Sequence, residues 1–275
     1  MKLLKDVASD LLSAEEADRL AGGFDTIGDI AVVKIRGLDA ARKRLVGERL
    51  MRRVKNVRSV WNQVGPVEGE YRIRQVEHVA GEERSDTVYT EHGCRFHVDI
   101  REAYFSPRLS TERARVASLV REGEKVFNMF AGVGTFSVVM AKKVGGVTVY
   151  SSEINEAAYR LMQENARLNK VTGSVVPLLG DCREHAATIP KADRAVMSLP
   201  EGAFDFLECA SGAMRPGGTV HYYERAGGPG PAEAAWRRVR ERFDCFELAG
   251  AKSVLEVAPR TEEVVLDLVY RPRPS

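Results

Sequence analysis

The sequence predicts an α/β protein in which a doubly wound, mostly parallel sheet fills residues 111–275, preceded by a smaller α+β domain over 1–110. Three observations carry this reading. From Lys125 onward, short apolar runs alternate with helical patterns, the signature of strands joined by crossover helices. Gly132 and Gly134 stand where the first of those strands runs into a helix. Before Thr111 the texture is different, with short alternating runs broken by turn-rich stretches.

Taken in order, the N-terminus (MKLLKDVASDLLSAEEADRL) interleaves charges with apolar positions, so it reads as amphipathic helix rather than a signal peptide, with a helix near Ala14 to Leu20. A strand follows near Ile30 to Ile35, then a basic helix near Ala40 to Val54 with Leu45, Val46, Leu50 and Val54 as its buried stripe. Alternating runs at Tyr71 to Ala80, Thr87 to Thr90 and Arg95 to Ile100 are separated by GEERSD and EHGC, predicting a small antiparallel sheet. A helix from about Thr111 to Arg121 leads into the second domain. There VFNMFA, VTVYSSE, SVVPLLG, RAVMSLP and TVHYYE are successive strands, with helices near Thr135 to Lys143, Asn155 to Lys170 and Gly202 to Ala213 between them. A helix near Pro231 to Phe243 and strands near Cys245 to Ala249 and Glu262 to Tyr270 close the chain, giving seven strands with a hairpin-like final pair.

Composition excludes several classes. Hydrophobic residues at 44% and charged residues at 29% describe an ordinary globular chain. Cys94, Cys182, Cys209 and Cys245 are far apart and form no C-x-x-C pair, which argues against a zinc site or a disulfide framework and fits a reduced, cytoplasmic setting. No metal-ligand pattern is expected. The longest nearly uncharged apolar run, Val126 to Ala141, is too short and glycine-rich to span a bilayer. The net charge of +2 neither demands nor excludes a nucleic-acid partner. Its distribution says more: Arg42 to Arg58 holds eight Lys or Arg residues against the single acid Glu48, either a solvated helix face or a phosphate-contacting one.

The chemistry gathers at the strand ends. Gly132 and Gly134 allow a sharp turn and close approach to a ligand. Ser137 replaces the last glycine of the dinucleotide fingerprint, which disfavours a nicotinamide dehydrogenase and suits a nucleoside with an amino-acid arm, as in S-adenosylmethionine. Glu153 ends the second strand, where a carboxylate accepts from ribose hydroxyls, and Asp181 follows the third, where it could accept from an adenine amino group. Either acid alone is equally a helix cap; the glycine loop and both acids at consecutive strand ends form a specific constellation. Phe130, Ile154, Cys182 and Ser198, adjoining these groups, complete the expected cofactor-lining set. Ser198-Leu-Pro200 ends the fourth strand, where Pro200 stiffens a turn beside the reacting centre.

Beyond these features, YRIRQVEHVAGEE (71–83), TVYTEHGCRFHVDI (87–100), YFSPRLSTER (104–113), NMFAGVGTFS and RAVMSLPEGAFDFLECA resemble the class I, archaeal and eukaryotic type of tRNA guanine-37 N1-methyltransferase, from about residue 25 to the end. The resemblance implies a Rossmann-like, class I S-adenosylmethionine-dependent methyltransferase sheet, the methyl donor as cofactor, and tRNA as partner, engaged through the anticodon arm at position 37. It places the family's essential arginine on Arg72, its base on Glu112, its active-site tyrosine on Tyr104 and its fourth-strand proline on Pro200. Guanine N1 is protonated at neutral pH, so methylation needs a base, Glu112, and a cation, Arg72, to meet charge developing on O6. The family's usual Asn is Ser198 here, one hydroxyl in place of an amide's donor and acceptor. The resemblance further implies a short form without the family's N-terminal elbow-reading domain, and with a tRNA substrate the basic helix is expected to lie along the anticodon arm with Arg49, Arg52 and Arg53 on phosphates. The alternatives are aminocarboxypropyl transfer to a modified guanosine 37 in the wyosine pathway, and a catalytically degenerate tRNA-binding relative.

Overall fold

A computed structural model describes residues 4–272 other than 9, 19 and 21. Arg19, inside the helix expected over Ala14 to Leu20, lies outside the described residues. Contacts divide the chain into Met1–Pro107 and Arg108–Ser275, three residues before the boundary read from the sequence.

The first unit opens with two short helices, α1 (Leu4–Ala8) and α2 (Ala14–Asp18). A reciprocal cap starts α2: Glu16 N–H donates to Ser13 Oγ and Ser13 N–H donates to Glu16 Oε2. Strands β1 (Asp25–Ile27) and β2 (Ile30–Val33) form a hairpin. Helix α3 (Ala40–Arg53), capped by Asp39 accepting from Arg42 N–H at 2.8 Å, crosses over to β3 (Ser59–Glu68), which pairs parallel with β2. β4 (Ile73–Gly81) adds antiparallel on the far side of β3, giving the order β1-β2-β3-β4. The strand β3 is absent from the sequence reading because Gly65-Pro66 reads as a turn. The register shift between Gln63 and Val67 absorbs that proline, which can donate no ladder hydrogen bond.

Two other expectations change here. The face that α3 buries is Val46, Gly47 and Leu50, while Leu45 is 50% exposed. A Cβ on Gly47 would come within 2.8 Å of Ala80 Cβ and 2.9 Å of Val79 Cγ1, so the helix sits against β4 at its glycine and is turned away from Leu45. The three expected antiparallel runs also fail to form one sheet. β5 (Asp86–Glu91) and β6 (Cys94–Asp99) are a separate hairpin, closed by His92 and Gly93, both with positive φ, while β4 belongs to the larger sheet.

The second unit begins with α4 (Ser110–Leu119), then β7 (Lys125–Asn128), α5 (Thr135–Lys143), β8 (Thr148–Glu153), α6 (Glu156–Leu168), β9 (Val175–Leu179), the short α7 (Cys182–Ala186) and β10 (Ala192–Met197). The helix expected over Gly202 to Ala213 divides into a 3₁₀ turn, Ala203–Phe206, and α8 (Leu207–Ala213). β11 (Met214–Gly227), α9 (Pro231–Arg242), β12 (Phe246–Ala258) and β13 (Thr261–Tyr270) complete it. The seven strands form one sheet in the order β12-β13-β11-β10-β7-β8-β9, parallel from β9 through β11 and antiparallel for the last hairpin. Strand order reverses at β7, between β8 and β10, so a crevice opens at their carboxyl ends. Phe127, Met197, Val220, Tyr222, Leu266 and Leu268 lie in the core on which this sheet rests.

Candidate functional site

Four consecutive carboxyl ends build the crevice of the second unit. The loop after β7 is tied on both sides: Met129 N–H donates to Val196 O at 3.0 Å and Ala131 N–H to Ser152 O at 2.8 Å. Gly132 (φ 55) and Gly134 (φ 84) take left-handed conformations that a side chain resists, and a Cβ on Gly134 would lie 2.8 Å from Met162 Cγ on α6. Asn165, fully buried on α6, donates to Val133 O at 2.9 Å and fixes the loop from below. Neither α6 contact was visible in the sequence, where both residues read as ordinary helix positions.

Glu153 ends β8 with one oxygen on each neighbour: Oε2 accepts from Gly132 N–H at 2.6 Å, Oε1 from Asn155 N–H at 2.8 Å. Burial raises its carboxyl above the ordinary range against the pull of the Asn155, Gly132 and Ile154 amides. A carboxylate has about four lone-pair sites, so acceptor capacity remains for a diol. Beside it Ile154 leaves its apolar side chain 36% exposed at the same edge.

The other expected groups fare differently. Asp181 caps α7 by accepting from Arg183 N–H at 2.8 Å, and its carboxylate is paired with the Arg183 guanidinium, whose hydrogen bond and charge hold it below the usual range. Arg183 is 64% exposed and rests over the Phe206 ring, so this pair is a surface clamp at the end of β9. Cys182, the first residue of α7, is buried, with its side chain in the core cluster. Ser198 Oγ donates to Phe130 O at 3.2 Å, joining the end of β10 to the glycine loop. Pro200 O accepts from Arg225 N–H at 3.1 Å, which anchors the turn on β11. Phe130 packs edge-to-face on Phe206 at 5.0 Å, an aromatic wall signalled in the sequence only by the Phe204-Asp-Phe206 run after the proline.

Glu112, near the start of α4, is 2% exposed and fully engaged. Oε1 accepts from Tyr223 Oη at 2.7 Å and Arg115 Nη2 at 2.7 Å; Oε2 accepts from Arg115 Nε at 2.9 Å and Lys252 Nζ at 2.8 Å. Burial pushes its carboxyl up, but the bonds from Arg115, Lys252 and Tyr223 outweigh it, leaving the group below its ordinary value. Behind Arg115 stands Asp267, which accepts from Arg115 Nη1 at 2.7 Å and from His221 Nδ1 at 2.6 Å. His221 is wholly buried, and Arg194 Nη1 lies 2.8 Å from its Nε2. Since Arg can only donate, Nε2 is the acceptor and the proton sits on Nδ1; burial lowers the imidazole's proton affinity, so the ring is neutral. The Tyr223 ring lies 6.1 Å from that of Phe136, two residues beyond Gly134, which puts Glu112's support on the glycine-loop side of the unit.

In the first unit the structure brings together Arg72 and Tyr104, the guanidinium lying 5.7 Å from the ring centroid. Arg72 sits in the turn between β3 and β4 rather than in a strand, with φ 52. A left-handed arginine is uncommon, and such strain persists where the surroundings over-determine it, often at functional sites. Arg74, buried two residues on, donates to Phe105 O at 2.9 Å and pairs with Asp25, steadying the segment that carries Tyr104.

With this geometry in place, comparison with known proteins is decisive. The TRM5/TYW2 methyltransferase domain matches residues 87–250. The chain belongs to the TRM5/TYW2 methyltransferase family. A TYW2 N-terminal domain matches residues 4–85. The tRNA (guanine(37)-N(1))-methyltransferase Trm5b of Pyrococcus abyssi is 41% identical over 254 residues, spanning 90% of this chain and 74% of that one. The tRNA 4-demethylwyosine(37)-methyltransferase Taw21 of Saccharolobus solfataricus is 36% identical over 77% of this chain and 79% of its own length. Among solved structures, a complex of aTrm5 with tRNALeu superposes with a TM-score of 0.87 at 30% identity, covering 98% of this chain and 78% of that one. Trm5b from Pyrococcus abyssi gives 0.85 at 38% identity, covering 95% and 79%.

For a TRM5/TYW2 family member the fold expectation holds: a seven-stranded class I methyltransferase sheet with a small N-terminal unit. No helix among the described residues is long and apolar enough to cross a membrane. The basic helix is less free than its sequence suggested. Arg42 pairs with Glu16, Lys43 with Glu77, Arg44 with Glu48 and Arg49 with Asp10, whereas Arg52, Arg53, Lys55 and Arg58 are exposed.

Proposed function

We infer that this chain transfers the methyl group of S-adenosylmethionine to N1 of guanosine 37 in the anticodon loop of tRNA. The observation that carries the reading is the similarity, over nine tenths of the chain, to a Pyrococcus enzyme named for that reaction. The crevice suits the cofactor: a carboxylate with spare acceptor capacity at Glu153, an exposed apolar surface at Ile154, and Asn128 Oδ1, a buried acceptor at the end of β7 that lacks a partner and would be satisfied by an ordered water or the donor's amino-acid arm.

When bound, S-adenosylmethionine supplies an electrophilic methyl on sulfur; the S–C bond breaks as the N1–C bond forms, and a thioether leaves. The chain's own groups do the rest. Glu112 takes the N1 proton, and a carboxylate of low basicity suffices because N1–H grows more acidic as its nitrogen is alkylated. Arg72, backed by Tyr104, donates to O6 as charge accumulates there. Ser198 and Pro200 hold the rim over the reacting carbon through Phe130 and β11. Arg52, Arg53, Lys55 and Arg58 meet phosphates of the anticodon arm, while position 37 swings out of its stack.

A second reading, aminocarboxypropyl transfer from the same cofactor, has the match of residues 4–85 to a TYW2 N-terminal domain in its favour. Incubating the protein with labelled S-adenosylmethionine and, in parallel reactions, an unmodified tRNA transcript bearing guanosine 37 and a tRNA carrying a modified guanosine at that position, followed by nucleoside mass spectrometry, separates them. 1-Methylguanosine is expected; the larger added mass on a modified guanosine, or no product, would overturn the reading.

A further inference from the structure

The two oxygens of Glu112 are held in different ways. Oε1 is bound from inside, by Tyr223, which is 1% exposed, and by Arg115, which Asp267 grips from behind. Oε2 shares Arg115 Nε and takes its remaining bond from Lys252, whose side chain is 43% exposed. Lys252 belongs to β12, the edge strand of the sheet, between register shifts at Leu248/Gly250 and Ser253/Leu255. Irregularities of this kind re-aim a side chain and release it from the regular pleat. The Glu112 carboxylate is therefore closed from solvent by one group that has an easy way out.

We propose that Lys252 is a displaceable cap on Glu112, its ammonium occupying Oε2 in the free protein and yielding that position to the guanine N1–H when substrate enters. This rests on Glu112 being the base. An ammonium on a flexible four-carbon stem regains water when it leaves, whereas the planar Arg115 fork, bound to two carboxylates, stays. Lys252 is thus a positioning residue: it keeps Oε2 aimed and ionised until a proton donor arrives. The charged and titratable groups around the carboxylate are Arg115 from α4, Tyr223 from β11, Lys252 from β12 and, through Arg115, Asp267 from β13. Of these, Lys252 is the one that differs between the free and the loaded protein.

Displacement has a kinetic signature that a fixed lysine lacks. The profile of kcat/KM against pH reports groups in the free enzyme, and that of kcat reports groups in the complex. In Lys252→Met the acid limb of kcat/KM moves up by about one pH unit, the low end for loss of a neighbouring cation that is partly exposed. The acid limb of kcat stays, because in the complex Lys252 has already left. Lys252→Arg restores the original kcat/KM limb, and Lys252→Gln repeats the Met result. Single-turnover methylation at subsaturating and saturating tRNA, with saturating methyl donor, gives both profiles. Limbs that move together, or not at all, overturn the cap. Glu112→Gln separates the two ideas: full activity refutes Glu112 as base, while an inactive Gln variant beside an unmoved Lys252→Met profile refutes the cap alone.

Discussion

Replacing Asp267 by Asn tests whether the polar chain behind Glu112 stabilises the second unit. The substitution keeps shape and leaves an acceptor for His221 Nδ1–H, but it turns an amide toward Arg115, whose two bonds to Asp267 measure 2.7 and 3.1 Å. Hydrogen bonds to charged groups contribute about 1.5–3 kcal/mol each, and Arg115 retains Glu112, so the net loss is about 2–3 kcal/mol. For a unit of this size that lowers Tm by about 4–12 °C in thermal unfolding followed by circular dichroism. The pH dependence has a definite sign. Burial pushes the Asp267 carboxyl up, yet the His221 and Arg115 bonds pull it far below its ordinary value of 3.8. A group depressed in the folded state stabilises above its unfolded value and loses that contribution as pH falls toward the folded one. The gap between wild type and Asp267→Asn is therefore full at neutral pH and at about pH 5, and shrinks only below about pH 4. A Tm unchanged to within a degree at neutral pH, or a gap that closes already between neutrality and pH 5, would refute this account of the network.

Three further outcomes are expected. Glu153→Gln, which puts an amide N–H against one of two backbone N–H donors and removes a carboxylate acceptor at the end of β8, weakens S-adenosylmethionine binding by about 10–100-fold in calorimetric titration. Arg72→Ala lowers kcat by about 10²–10³ with Tm nearly unchanged, the cost of removing one donor to developing charge; a loss seen in KM alone would assign Arg72 to binding. Arg52→Ala with Arg53→Ala reduces the slope of log Kd for tRNA against log salt by about two, read by filter binding, whereas Arg49→Ala, already paired with Asp10, changes it less.

The match between sequence and structure is uneven for identifiable reasons. The second unit was legible almost strand by strand because its parallel strands are buried on both faces and read as continuous apolar runs between helices. The first was read less well: β1 is three residues long, and β3 hides a Gly-Pro pair within a bulge. Leu45 fits the apolar stripe of α3 as well as Val46 does, and only the close approach at Gly47 decides between them. The site divides in the same way. Gly132, Gly134 and Glu153 are recognisable because their spacing follows from strand length and the need for a tight turn. Arg183 over Asp181 and Lys252 over Glu112 were invisible, since neither residue sits in a pattern that distinguishes it from other surface cations.

By itself, then, the sequence determined which segments become strands and helices in the second unit, the tight glycine turn after its first strand, and the kinship of the motifs around Tyr104 and Glu112. Local periodicity and short motifs are properties of neighbours along the chain, so they can be read from it. Tertiary structure decided the rest: that Arg72 stands in a left-handed turn against Tyr104, and that Glu112 is locked by partners 3, 111 and 140 positions away, at Arg115, Tyr223 and Lys252. The proton affinity of a carboxylate depends on burial and on charges a few ångströms off, and where those charges lie is fixed only when distant segments pack together.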